Sequence, residues 1–566
     1  MNKIYLILIA VLFLSVSCND DILDLKPLDK YSEKDVWSDV VMAEAFIYDV
    51  YANTVPRYAW SNHYEQLSDN YVVLPWAGTN NIKANNYDRN YDAGWNRYGA
   101  IRMCNLAIEK ISESDFSKNK KDQLLGEAKF LRALVYFEQV QKFGGVMLVD
   151  KVYSADEEDF QLPRATEKQC YDFILNDLSD ASTLLPEAAQ RGRASKGAAY
   201  AMSMRVALRA AAYLNDDSYC NTVIAEGDKL FALGKYSLVD DYSNLFNQYS
   251  TAVNNSESIL ILDKSEDNTR IVNTPMISLV PNVNEHSKIL DSNNGTKEPR
   301  HPLSNGNMEA WPNLSPTQDL VDDYLVEDVD GVAKKWNETD YFTNGLNVYE
   351  KMYINRDARF YASLGHDSTI YCGNLIFTRE LGNIAQSNTK NGHGTPTGYI
   401  TRKGVYEDLR IFYSDNTSYC YQILRLGEAY LNYAEAALVL GDEATAREYM
   451  SKTFKSHGKF VSDITASGTD LWDAYKRERR VEMFSEGSDR FWSLLRWGKF
   501  ENKEVVSELN QVLHGIEISE DGQSYSIIET KDNGGQDPAF VNRRYYYPIP
   551  HGERQANPNL EQNPGW

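Results

Sequence analysis

Cysteine is scarce in this 566-residue chain: six in all, one at position 18 and five in the body, Cys104, Cys170, Cys220, Cys372 and Cys420. Five is an odd number and none lies in a CxxC pair, so neither a disulfide framework nor a zinc site is demanded. Buried structural thiols are expected. Eight histidines are scattered singly, with no HExxH, and GxSxG, P-loop and GxGxxG motifs are all absent. No catalytic residue, metal ligand or cofactor is expected on these grounds. Positive charge is also short: 58 Lys and Arg against 81 Asp and Glu give a net charge of −23. That excludes nucleic acid, whose binding is driven by displacing counterions with basic side chains. It equally excludes electrostatic docking on anionic lipid. Beyond residue 14 no window approaches eighteen apolar residues, so no transmembrane helix is expected in the mature chain. What is abundant is tyrosine, 38 residues, within 12% aromatics. Hydrophobic and charged fractions of 43% and 25% are those of a globular protein with a large core.

Residues 1–17 form a targeting segment. Lys3 is the positive end, and Ile4–Leu14 is an apolar run covering about 16 Å, half of what a bilayer core requires. The run ends in Leu14-Ser15-Val16-Ser17-Cys18, which resembles a bacterial lipobox. That resemblance implies lipidation of Cys18 and anchoring by two or more acyl chains. Asn19, Asp20, Asp21 and Asp24 follow, and resemble the acidic export signal of surface lipoproteins in Bacteroidetes.

Helical periodicity governs 36–240 and 420–505. Helices are expected over Asp39–Thr54, Tyr91–Ser112, Lys120–Phe143, Thr166–Leu185, Ala194–Leu214 and Ser218–Leu233. The pattern returns at Tyr421–Leu440, Glu443–His457, Thr469–Glu486 and Ser488–Phe500. Small residues recur on the facing sides, such as Ala198, Ala207, Ala434 and Ala437. The spacing resembles degenerate tetratricopeptide units of ~34 residues. The fold class expected is mainly α, with stacked helical hairpins supporting a loop-rich insertion over 240–420 and a C-terminal wrap over 506–566. Gly, Asn, Pro and Thr punctuate the insertion, and long loops on a rigid frame are where binding usually sits.

Several motifs then fall in a fixed order. Gly126-Glu127-Ala128-Lys129-Phe130-Leu131-Arg132 runs on to Phe143-Gly144-Gly145. Asn355-Arg356-Asp357-Ala358-Arg359 follows in the insertion. Arg425-Leu426-Gly427-Glu428-Ala429-Tyr430 comes next, then Arg477-Glu478-Arg479-Arg480-Val481-Glu482 with Glu486-Gly487. Tyr547-Pro548-Ile549-Pro550 and Asn557-Pro558-Asn559-Leu560 close the chain. Together these resemble the SusD/RagB family of Bacteroidetes outer-membrane nutrient-binding lipoproteins. The resemblance implies a surface-exposed glycan binder and a SusC-like TonB-dependent transporter as partner. A RagB-like peptide or other nutrient binder is the alternative on the same scaffold. Glu127, Arg132, Glu478, Arg480 and Glu486 are expected to be structural, as buried ion pairs that hold neighbouring hairpins in register.

A saccharide needs flat aromatic faces with amides, carboxylates or guanidinium groups at their edges. Trp95, Trp492 and Trp497 lie in helical runs and are expected in the core. Trp60, Trp76, Trp311 and Trp336 lie in loops and are the candidate stacking planes. Their polar neighbours include His63, Asp69, Asn70 and Asn81. Arg379 and Tyr399 are further candidates in the later loop. Asp319, Asp322 and Asp323 have the composition of a cation site, but a solvated helix start is the plainer reading.

Overall fold

The computed structural model describes residues 33–59, 65–73, 80–154, 161–282, 308–385, 394–530 and 537–566, with the backbone of 290–291 and 295–296. Cys18, Trp60, His63 and Trp76 lie outside the described residues.

Ten helices of twelve or more residues make the frame. They are α1 (Val40–Ala59), α2 (Tyr98–Glu113), α3 (Lys118–Phe143), α4 (Glu167–Leu184), α5 (Lys196–Leu214), α6 (Ser218–Ala232), α7 (Leu426–Val439), α8 (Glu443–Ser456), α9 (Gly468–Glu482) and α10 (Asp489–Phe500). Local chemistry sets their ends. Thr166 and Gln169 form a reciprocal capping box at the start of α4. Asp442 accepts from the Thr445 backbone to open α8, just after Gly441 has taken the left-handed conformation that ends α7. Consecutive helices from α2 to α6, and α7 with α8, pack side by side as hairpins, and α7 folds back onto α5 and α6. The small residues act as expected. A Cβ on Gly227 of α6 would sit 2.6 Å from the Tyr433 ring of α7, so only glycine permits that approach. Among the described residues no helix is long and apolar enough to cross a membrane.

Strands are few and paired two by two. For the site the relevant ones are β1 (Tyr71–Val73), β2 (Ser258–Lys264), β3 (Met308–Glu309), β4 (Leu314–Pro316), β5 (Ile411–Phe412) and β6 (Tyr419–Arg425). β1 pairs antiparallel with β4, Val73 opposite Leu314. β3 pairs parallel with β5, and β6 antiparallel with β2. Two expected boundaries are corrected here. Residues 421–425 are strand, not helix. The Tyr-Cys-Tyr-Gln-Ile-Leu sequence is buried on both faces, so its apolar positions carry no helical stripe. Tyr91–Arg97 is likewise non-helical, and Trp95 enters the core from a turn. One continuous apolar cluster includes Ile47 and Phe137 from the helices, Tyr324 and Phe360 from the insertion, and Ile549 and Leu560 from the C-terminal segment.

Candidate functional site

The charged motifs fold into a buried lattice that joins the insertion to the helical frame. Arg425, at the junction of β6 and α7, contacts Glu257 at 2.9 Å, Glu486 at 2.7 Å and Glu482 at 2.5 Å. Arg359 contacts Asp357 at 2.7 Å, Glu478 at 2.6 Å and Glu482 at 2.8 Å. Lys403 reaches Glu486 at 2.6 Å. His457 lies between Glu482 (Nδ1, 2.9 Å) and Glu257 (Nε2, 3.1 Å). Five carboxylates thus face two guanidinium groups and the Lys403 ammonium, whose pKa burial pulls down to about 8, and the imidazole supplies a fourth positive charge. Glu257, His457 and Glu482 present ligand atoms close enough for a metal ion. Both carboxylates are already engaged by Arg425, and Glu482 by Arg359 as well, so the trio is part of an ion-pair lock.

Burial opposes charge on His457, but Glu482 and Glu257 outweigh it and lift its pKa to about 9. The folded pKa exceeds the ordinary value, so the stability this ring contributes is complete below about pH 6.5 and is lost as pH rises through about 9. We expect the stability gap between the wild type and His457→Gln to narrow between pH 7 and pH 10. Urea denaturation at the two pH values measures it, and a constant gap would contradict a charged ring.

The expected ion pairs are present, though not between the residues nearest in sequence. Glu127 pairs with Arg193 at 2.6 Å and Arg132 with Asp177 at 2.7 Å, each across a hairpin. Asp319, Asp322 and Asp323 do not converge on a cation: they accept from His514, Trp336 and Arg480 respectively.

Most candidate ligand residues also serve the frame. Asp69 is buried, with Arg490 bidentate at 2.8 Å on both oxygens and Arg480 at 2.9 Å. Asn70 is buried too, donating to Glu65 at 2.6 Å and accepting from Arg480 at 2.8 Å. Tyr399 is buried and donates its hydroxyl to Gln318 at 2.7 Å. Trp336 is buried against Phe342, its Nε1 donating to Asp322 at 2.7 Å. Arg379 is folded onto Asp367, Nε to Oδ2 at 2.9 Å. Asn81 is exposed on the short turn Asn80–Lys83. Asp69 and Asn70 come together through Arg480; Trp311, Trp336, Arg379 and Tyr399 have separate partners.

Trp311 is different. It is 41% exposed and meets Tyr413, 38% exposed, edge to face with ring centroids 5.4 Å apart. Phe412 stacks on Tyr413 at 5.1 Å, and the Arg410 guanidinium covers Phe412 at 4.4 Å. The ledge is fixed by backbone. Trp311 N donates to Ile277 O at 2.8 Å, Val272 N to Tyr413 O at 3.1 Å, and the β3–β5 pair lies beneath. Arg410, over Phe412, lies 3.6 Å from Asp415, and this pair supplies charged groups beside the ledge. The sequence reading singled out Trp311 but not Tyr413, Phe412 or Arg410. Nothing distinguishes one tyrosine among 38 until the parallel pairing of β3 with β5 sets it beside the indole. The β1–β4 ribbon adds a spatial link: Val73, three residues before Trp76, pairs with Leu314, three residues after Trp311.

A helical-hairpin frame carrying a loop-rich layer is the build of SusD-like proteins. A SusD-like protein from Bacteroides fragilis shares it with a TM-score of 0.76 at 26% identity, over 96% of this chain and all of that one. A SusD-like carbohydrate-binding protein from the same species gives 0.72 at 20% identity, over 93% of this chain and all of that one. The chain belongs to the SusD family, whose model matches residues 279–566; a second model, described as starch-binding and associating with the outer membrane, matches residues 23–208. In sequence, a SusD-like protein of Bacteroides ovatus is 22% identical over 91% of this chain and 86% of its own length. Formosa agariphila SusD-like protein P38 is 30% identical, over 41% of this chain and 46% of that protein. The family is thus one of carbohydrate-binding proteins associated with the outer membrane.

Proposed function

We propose that this protein captures oligosaccharide or polysaccharide at the cell surface and passes it to a SusC-like TonB-dependent transporter. In this reading Cys18 carries the lipid anchor, and binding is non-covalent, with no catalytic step. The observation that carries it is the exposed Trp311–Tyr413 ledge, immobilised by backbone bonds and edged with polar groups. Immobility matters, because a plane that is already ordered loses little entropy when a sugar stacks on it. Trp76 belongs to the same proposal, since it follows by three residues Val73, which pairs with Leu314. A related fold is that of a laminarin-binding SusD-like protein, which supports the same reading.

The test is retention on a panel of immobilised polysaccharides and peptides. Trp311→Ala is expected to weaken the retained glycan about tenfold or more, equivalent to ~1.4 kcal/mol, with the melting temperature unchanged. Retention of peptides alone would favour a RagB-like role. Undiminished glycan binding by Trp311→Ala and by Tyr413→Ala would place the site elsewhere. Shortened products after incubation would reveal hydrolysis instead of capture.

A further inference from the structure

A second cleft lies away from the ledge residues, between α1, the turn at 190–193 and strand β2. It encloses about 590 Å³, within the ~300–1,000 Å³ range of small-ligand sites. Tyr48 of α1 lines it and is 45% exposed. Its ring is held from one side. The Arg193 guanidinium lies 5.0 Å from the ring centroid and donates to the hydroxyl at 3.1 Å, and the hydroxyl donates to Gln190 Oε1 at 3.3 Å. Arg193 is itself buried, fixed by Glu127 and Glu44. The exposure therefore belongs to the opposite ring face, which is both flat and immobile.

The same cleft presents a preset polar fork. The Arg191 side chain is 49% exposed, with Nε 3.1 Å from Asp263 Oδ2 and Nη1 donating to Asn254 Oδ1 at 3.4 Å. Asp263 is anchored through its other oxygen by the Tyr249 hydroxyl at 2.7 Å. Val55 and Pro56 supply apolar lining. A pyranose ring has the complementary make-up, an apolar C–H face and adjacent hydroxyls that pair with carboxylate, amide and guanidinium groups. An anionic ligand would face Asp263 beside Arg191.

We propose that this cleft is a second saccharide site, with Tyr48 as the stacking plane and Arg191, Asp263 and Asn254 as the hydroxyl-reading edge. It rests on the reading of the protein as a glycan binder but uses none of the ledge residues. Two sites on one chain let a long glycan be held at two points, so that release requires both to open together.

The experiment uses the mature chain and whichever oligosaccharide a glycan array shows it to retain. Isothermal titration of that oligosaccharide is expected to fall from about two bound per chain to about one in Tyr48→Ala/Arg191→Ala, and likewise in Trp311→Ala. Both variants change surface side chains, and an unchanged melting temperature checks the fold. Undiminished stoichiometry and affinity in the Tyr48→Ala/Arg191→Ala variant would overturn the cleft and leave the ledge standing. Binding lost in that variant but intact in Trp311→Ala would overturn the ledge and keep the cleft. An array on which no glycan is retained would overturn both.

Discussion

Arg425→Met is expected to destabilise the protein by about 3–5 kcal/mol, the cost of leaving a buried charge without its partner. One guanidinium here serves Glu257, Glu482 and Glu486 from the junction where strand β6 becomes helix α7. Methionine keeps most of the volume, so the loss is electrostatic and not a cavity effect. Lys403 and His457 remain, but both are already committed to Glu486 and to Glu257 with Glu482. Lysine at 425 is expected to rescue little, because a single ammonium cannot span three carboxylates as the planar fork does. The shift in urea midpoint measures the effect. A loss under about 1 kcal/mol would mean that the lattice is as weak as a surface ion pair.

Asp69→Ala carries a comparable expected cost, with a second consequence. Its carboxylate is the bidentate partner of Arg490 and a partner of Arg480, so removal strands the buried Arg490 of α10 and leaves Arg480 of α9 to Asp323 and Asn70. Burial pushes the Asp69 pKa up, yet Arg480 and Arg490 outweigh it and hold the carboxyl at about 2. The folded pKa is depressed, so the stability it contributes is present above about pH 4 and disappears as pH falls toward 2. Acid titration of wild type and Asp69→Asn should converge at the low end, and curves that stay parallel would contradict the assignment. The backbone carbonyls of Asp69 and Asn70 accept from the Thr317 hydroxyl and N–H at 2.8 and 3.0 Å, so the tie of these residues to β4 is kept in either variant.

The helical frame was legible because its signal is local. An apolar stripe repeating every three or four residues survives any tertiary arrangement, and α3 and α6 end within two residues of where that stripe ends. Tyr421–Arg425 was misassigned because a strand buried on both faces has no alternation to read. The charged motifs were recognised as structural, but their partners were not predictable, since Glu127 reaches Arg193 across 66 residues and Arg425 reaches Glu257 across 168. The candidate ligand residues were the least legible. Asp69, Asn70, Trp336 and Tyr399 have the composition of a sugar site, but polar groups beside an aromatic ring also describe a satisfied interior. Only exposure separates the two cases, and exposure at Trp311 and Tyr413 depends on strands brought together from 103 positions apart, Met308 to Ile411.

The five thiols at Cys104, Cys170, Cys220, Cys372 and Cys420 are all free and all buried. Burial holds each of them protonated, Cys170 to about 11 and Cys104, Cys220 and Cys420 to about 12. They are spread over α2, α4, α6, the hairpin at residues 369–376 and β6. An alkylating reagent added to the intact protein will therefore reach none of these five thiols until some part opens. The order in which adducts then accumulate, followed by mass spectrometry, is a ready-made map of which layer of the molecule gives way first.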